Sequence, residues 1–484
     1  MADAPDAIVV GSGPNGLAAA VTLAQAGLRV HVYEGASTLG GGARTEELTL
    51  PGFRHDVCSA VHPLALASPF FRRFDLASRG VRLLEPDVQF AHPLDDGRAG
   101  FVVRSLDDTA DALGADAQAY RRWCSSAVRH ANDVIDITLS TLRRPPRHPM
   151  KVAGFGLSAL SSARRMAGHF STDEGRGLLG GVAAHAMLPL SRPPTGAVAL
   201  LLGALGHAVG WPVVEGGSDQ LIAAMVRALE DAGGSVIPDT FVRSLDELPP
   251  ARAVLLDVAP RALLQLGGDR LSPGYRRALA KYRYGPGVCK VDFALSGAVP
   301  WTAEPCRRAA TVHLGGTFEE IAASEEEVAA GRHPKRPYVL VAQAGVVDAS
   351  RAPAGQHTLW TYCHVPAGST VDMSEQIAGQ LERFAPGFRD LVLAKSVRTA
   401  ADEEKENPNY VGGDIAAGAQ TLRQTFARPA LRWNPYRTGI SGVYLCSAST
   451  PPGPGVHGRC GELAALTALR DVFHVNTEHR QLQH

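Results

Sequence analysis

Ala7-Ile-Val-Val-Gly-Ser-Gly-Pro-Asn-Gly16 is the stretch on which the reading of this chain turns. Ala7 to Val10 is a short β-rich run without polar alternation, as a parallel strand covered on both faces requires. The turn Gly11-Ser-Gly-Pro-Asn-Gly16 follows at once, and a helix then places Leu17, Val21 and Ala24 on one face before Gly27 ends it. A second strand, Arg29 to Tyr33, delivers Glu34 at its end. These parts fit a dinucleotide. Gly11 permits the tight strand-to-helix turn, Gly13 removes a side chain where a pyrophosphate approaches, and Gly16 lets helix and strand pack closely. Free N–H groups at the helix start, with Ser12 and Asn15 in the same turn, face the phosphates. Glu34, eighteen residues after Gly16, is placed to accept from a ribose diol and to repel the extra phosphate of NADP. The unit alone does not separate NAD from FAD.

Working outward, Gly40-Gly-Gly-Ala-Arg-Thr45 forms a second glycine-rich turn just past Glu34. Gly41, Gly42, Ala43 and the Arg44 guanidinium come within reach of the pyrophosphate or the flavin side of the nucleotide. The plainer alternative is a flexible loop with a solvated arginine. Glu215 to Ile222 leads into a helix through about Glu230, and Gly233-Gly234 then turns into an extended stretch, Ser235 to Leu245. That is the form of a further α/β layer. Ala253-Val-Leu-Leu-Asp-Val-Ala259 reads as a buried strand closed by Pro260. Near the end, Gly442 to Cys446 is a strand, Ser447 to His457 a Pro/Gly loop and Gly458 to Arg470 a helix. A helix start directed at a bound flavin stabilises negative charge at its N1–C2=O edge.

These stretches resemble the phytoene desaturase-like branch of the FAD-dependent oxidoreductases, related to the flavin amine oxidases. Within it the chain is most similar to the pyridine nucleotide-disulfide oxidoreductase domain-containing protein 2 group. The likeness spans nearly the whole chain. It rests on Gly11 to Glu34, on Gly41-Gly-Ala-Arg-Thr-Glu-Glu47, on Asn407-Pro-Asn-Tyr-Val-Gly-Gly-Asp414 and on Tyr444 to Gly458. It implies FAD as cofactor, main-chain contact from Val242 to the adenine, and Ser449, Gly455, Val456 and His457 in the loop beside the isoalloxazine. The chain departs from the family at Ser447 and Pro454, where glycine is frequent, and at Ala43, where many members read Gly-Gly-Arg.

The implied fold is α/β, a Rossmann-like FAD-binding domain built from discontinuous segments with an inserted α+β substrate domain. Residues 1–75, 205–285 and 430–484 are assigned to the first, and 76–204 and 286–429 to the second. Helical patterns at Asp116 to Leu142 and 197–206, a strand at His357 to Val365 and a helix at Ser374 to Phe384 belong to the insertion. None carries a fingerprint of its own.

Bulk properties narrow the function classes. With 48 basic and 48 acidic side chains the net charge is zero, so no global field gathers nucleic acid. Seven cysteines include no C-x-x-C pair and no zinc spacing, which favours reduced thiols and no metal. Met1 to Asp6 has no basic region before a signal-like core, and the longest apolar stretch, Ala197 to Val209, falls short of the ~20 residues that span a bilayer. A cytoplasmic location is expected. Arg143-Arg-Pro-Pro-Arg-His-Pro-Met-Lys151, with Arg164-Arg165 beyond, reads as a solvated turn and helix, or as a peripheral membrane contact.

No nucleophile elbow or zincin motif occurs. Flavin dehydrogenation moves a hydride and needs a destination for a proton, so His457, His364 and His62 are the catalytic candidates, each with a structural role as its alternative. His55 precedes His62 in the same segment. The resulting expectation is an FAD-dependent enzyme that dehydrogenates or desaturates a hydrophobic small molecule. The C-x-x-x-x-C motif and second fingerprint of disulfide oxidoreductases are missing, so oxygen or a quinone is the expected electron acceptor. Two alternatives stay open, a flavin amine oxidase and an FAD-binding protein that acts through a protein partner. Substrate and oligomeric state are not legible.

Overall fold

The computed structural model describes residues 4–141 and 148–475. Ala7–Val10 becomes the middle strand of a five-stranded parallel sheet. Ala253–Leu256 and Val443–Leu445 lie on one side of it, Val30–Tyr33 and Ser235–Ile237 on the other. One face packs on the helices Pro14–Ala24, Asp219–Asp231 and Arg459–Val472 through Leu17, Val21, Leu221, Met225 and Leu466. The other packs on Pro260–Gly267 and Pro273–Ala280 through Leu263, Leu266 and Leu279. This double cover is why these strands show no polar alternation. Alanines let the first helix approach the last so closely that a Cβ on Gly461 would fall 1.7 Å from the Asn15 carbonyl oxygen.

A seven-stranded mixed sheet forms the second layer system. Its order is Val392–Arg398, Gly287–Leu295, His357–Val365, Val339–Ala342, Thr311–Leu314, Phe90–Pro93 and Ala99–Val102. All neighbours run antiparallel except Thr311–Leu314 with Phe90–Pro93. One apolar cluster joins Phe90, Trp211, Leu340, Trp360 and Tyr362 to the helices Asp173–Ala183 and Thr195–Ala208. Another fills the opposite side around Phe293, Trp301, Phe384 and Phe388.

Two local expectations change. The helical pattern from Asp116 is cut at His130, whose φ of −111° and ψ of 32° separate Ala117–Arg129 from Ala131–Thr138. The bend folds Ile135 and Leu139 onto Ala67 and Leu205. The extended stretch from Ser235 stops at Ile237, because Pro238 offers no N–H and Asp239 turns with φ at 54°. The chain then crosses Glu34, whose carbonyl accepts from Thr240 N at 2.7 Å. Arg143 to Arg147 of the basic stretch lie outside the described residues, while Lys151 stands in the first turn of the helix Pro149–Ala159. Among the described residues no helix is long and apolar enough to cross a membrane.

Candidate active site

The first strand lies between sheet neighbours reached in opposite directions, and crevices at such switch points bind ligands outside the strands' carboxyl ends. Here that crevice opens on a chamber of about 990 Å³ that continues to the mixed sheet. Of the residues assigned to a cofactor, all but Ser12 and Gly16 line it.

The glycine turn packs too tightly on itself and on the neighbouring strand end to carry side chains at Gly13 and Gly16. A Cβ on Gly16 would meet the Gly11 carbonyl oxygen at 2.0 Å, and one on Gly13 would meet Asp257 Oδ2 at 2.9 Å. Ser12 N and Oγ both donate to Glu34 Oε2, at 2.8 and 2.6 Å, while Glu34 Oε1 accepts from Ala36 N at 3.0 Å. Ser12 Oγ in turn accepts from Gly40 N at 3.1 Å. Thus the first turn, the acid and the second turn form one connected unit. Gly41 lies against it, a Cβ there standing 3.3 Å from Gly13 Cα. Asn15 Oδ1 is buried without a partner among the described residues. An orphaned polar atom beside an open helix start is what a missing polar ligand leaves behind.

Arg44 is not free to range. Its Nη2 donates to Glu406, its Nη1 donates to Thr38 Oγ1 at 2.7 Å, and Glu46 stands 3.5 Å away. Ala43 is buried where the chamber wall meets the core. Gly42 supports the Asn407–Asp414 segment, since a Cβ there would strike Tyr410 Oη at 2.1 Å. Asn409 Oδ1 accepts from Ala259 N at 2.7 Å and its Nδ2 donates to the Asp257 carbonyl at 3.3 Å, which ties the segment to the end of a parallel strand. Val242 forms part of the wall near Glu34. Ser449 Oγ donates to the Ala417 carbonyl at 3.0 Å, and Gly455, with φ at 123°, Val456 and His457 close the loop before the last helix.

The three candidate histidines differ. His457 spends both ring nitrogens on backbone, Nε2 on the Gly453 carbonyl and Nδ1 accepting from Arg459 N, each at 3.1 Å. Burial holds its pKa down at about 4. His62 pairs Nε2 with Ser218 Oγ at 2.9 Å, lines the chamber, and is likewise held to about 4 by burial. His364 pairs Nδ1 with Glu325 Oε1 at 2.8 Å and lies outside the chamber lining.

Reading the sequence missed Asp257, His185 and the aromatic wall. Asp257 ends the strand Ala253–Leu256, and its Oδ2 accepts from Gly16 N at 2.8 Å. An acid inside an apolar strand run was the signal for it. Trp211, Trp360, Tyr362 and His185 line the far end of the chamber, and nothing local in their sequence marks them.

Residues 9–74 match the NAD(P)-binding Rossmann-like domain family. Pyridine nucleotide-disulfide oxidoreductase domain-containing protein 2 of Rattus norvegicus is 26% identical, across 96% of this chain and 94% of its own. All-trans-zeta-carotene desaturase of Myxococcus xanthus is 27% identical, across 93% of this chain and 90% of its own. The chain is an oxidoreductase, similar along nearly its whole length to these proteins. Its fold is that of the FAD-dependent oxidoreductases, and putrescine oxidase bound to putrescine superimposes with a TM-score of 0.62 at 17% identity, covering 97% of this oxidoreductase and 99% of that chain.

Proposed function

We propose that this oxidoreductase binds FAD and uses it to dehydrogenate or desaturate a neutral, hydrophobic small molecule. The carrying observation is how charge divides along the chamber. Among the described residues, Glu34, Arg44, Arg243, Asp257, Lys405 and Glu406 are the charged side chains of the lining, and each stands at the parallel-sheet end or on the segment packed against it. The other end is apolar or uncharged, from Leu201 and Leu202 to Trp211, Leu340, Trp360 and Tyr362. Lys290 lies 5.7 Å from the Trp360 ring centre, outside the lining and paired with Asp292. A charged substrate there would be desolvated without a counter-ion.

In this reading Glu34 holds the ribose, and the helix start at Gly13 to Asn15 takes the pyrophosphate. Gly41 to Ala43 give it room. Val242 meets the adenine through its main chain, and Ser449, Gly455, Val456 and His457 border the isoalloxazine. Bound FAD would supply a two-electron acceptor that receives a hydride at N5. The chain's own part is to orient the substrate against the aromatic wall and to exclude water.

A flavin amine oxidase is the second reading, favoured by the Trp360–Tyr362 pair, whose ring centres are 5.1 Å apart. The uncharged chamber lining beside that pair counts against it. The test is a spectrum of the purified protein, mass identification of the heat-released cofactor, and anaerobic mixing with neutral terpenoids or with primary amines. Expected are flavin bands near ~450 and ~375 nm, released FAD and bleaching by neutral compounds. Bleaching by amines alone would sink the neutral-substrate reading. A flavin that no reductant bleaches, with a co-purifying protein, would favour action through a partner.

A further inference from the structure

We infer that His185 positions the substrate, its Nδ1–H donating a hydrogen bond into the chamber and selecting apolar molecules that carry a neutral accepting oxygen. The inference rests on the proposed substrate end of the chamber and names what binds there.

His185 is half-buried on the chamber wall, and its ring stands edge-on to Trp211 with centres 5.7 Å apart. Its Nε2 lies 2.9 Å from Nε2 of His313. Two imidazole nitrogens at that distance share one proton, so one ring donates and the other accepts. The surroundings of His313 decide which. That residue sits within the strand Thr311–Leu314 and is wholly buried, and its Nδ1 is sealed without a partner. A sealed N–H with no acceptor is rarer in proteins than an under-used acceptor site. His313 therefore keeps its proton on Nε2 and donates it to His185. Having accepted at Nε2, a neutral His185 must carry its own proton on Nδ1. Both rings are neutral, because burial drives His185 down to about 3, and His313 well below the usual histidine range.

Nδ1 of His185 has no protein partner among the described residues and, unlike its counterpart on His313, is not sealed. This neutral donor stands among Trp211, Met187 and Leu340, beside the Gln420 amide that reaches the His185 carbonyl, and among the described residues no charged side chain lines that part of the chamber. A ketone, aldehyde, ether or hydroxyl oxygen satisfies it. A carboxylate would accept the same bond but remain buried without a counter-charge, and an ammonium group has nothing to offer an N–H donor.

Diphenylmethane, benzophenone and aminodiphenylmethane are suitable probes, because they share one skeleton and differ at one carbon. Each would be titrated into the FAD-loaded protein by calorimetry, and the carbonyl stretch of bound benzophenone recorded by infrared difference spectroscopy. Benzophenone is expected to bind best and the cationic amine worst. In His185→Phe the benzophenone-to-diphenylmethane affinity ratio should fall roughly three- to tenfold, the span of one neutral hydrogen bond. His185→Asn, which keeps an N–H donor nearby, should retain most of it. The carbonyl stretch should be lowered in the wild type and in His185→Asn, and return to its hydrocarbon-solvent value in His185→Phe. An unshifted wild-type carbonyl overturns the inference without any variant, as does an affinity ratio indifferent to His185→Phe. Binding of hydrocarbon and ketone alike would leave the neutral-substrate reading standing while the histidine's part fell. Failure of all three probes to bind would remove both.

Discussion

Asp257 carries the most conflicted charge in the site. Its carboxyl sits beneath the glycine turn, where burial raises its pKa to about 7, the Gly16 N–H pulls the other way, and the Glu34 charge adds to the rise. The folded-state value lies above that of the unfolded chain, so the folded protein holds a proton that the unfolded chain releases near pH 4. The stability this contributes is fully present below about pH 4 and is lost as pH rises through about 7. A pyrophosphate in the same turn is a further negative neighbour and would favour the protonated acid still more. FAD binding should then take up a proton. We expect the FAD dissociation constant, followed by flavin fluorescence, to increase between pH 7 and 8.5 by up to about tenfold per unit, the limit for one linked proton. Asp257→Asn should flatten the profile and bind FAD well at the upper end. A wild-type profile already flat would mean that the carboxylate is ionised and satisfied in the complex.

Elements differ in how far they could be read in advance. From Ala7 to Glu34 the strand, turn, helix and acid each obey a local rule and the rules agree in register, so the unit was legible, as was the strand, loop and helix from Gly442 to Arg470. The break at His130 was not, because the helical periodicity continues through it and only packing on Ala67 and Leu205 bends the chain. Equally hidden was the hold of Asn409 on the strand end at Asp257, a contact across 152 residues. The basic stretch Arg143 to Lys151, with Arg164-Arg165 beyond, admits a solvated or a membrane-touching reading, and the surface of the helix Pro149–Ala159 favours the second. Met150 and Leu157, with Leu160 just beyond its end, are 89%, 73% and 65% exposed, and Lys151, Arg164 and Arg165 are exposed beside them. The helix packs on Thr195–Ala208, which supplies Val198, Leu201 and Leu202 to the chamber. We propose that this face rests on a lipid surface from which an apolar substrate enters. Co-sedimentation with anionic phosphatidylserine vesicles should drop severalfold in a Met150→Glu, Leu157→Glu double variant with unchanged thermal midpoint. Equal sedimentation of the two would return the helix to the solvated reading.

At the scale of the whole molecule, two sheets of different construction share one chamber, and the difference bears on where electrons go after the substrate is oxidised. Among the described residues the parallel sheet offers one Gly-x-Gly-x-x-Gly turn, between Ala7–Val10 and Pro14–Ala24, and that turn belongs to the proposed FAD. In the mixed sheet Thr311–Leu314 and Phe90–Pro93 form the one parallel pair among the described residues. The turn after Thr311–Leu314 carries Gly315 and Gly316, but the following helix, Phe318–Ala329, opens with Glu319 and Glu320. Two carboxylates in a first turn favour the helix dipole but repel a phosphate. Among the described residues that turn is the mixed sheet's parallel-strand crossover and it is ill suited to a dinucleotide, so we propose that a small neutral oxidant, which needs no such seat, takes the electrons. Flavin reduced by light and then mixed anaerobically should be reoxidised by menadione, and by dioxygen once air is admitted, with NAD⁺ and NADP⁺ leaving it bleached. Rapid return of the ~450 nm band with either nicotinamide nucleotide, while menadione and dioxygen fail, would mean that the nucleotide reaches the flavin by a path the two sheets do not reveal.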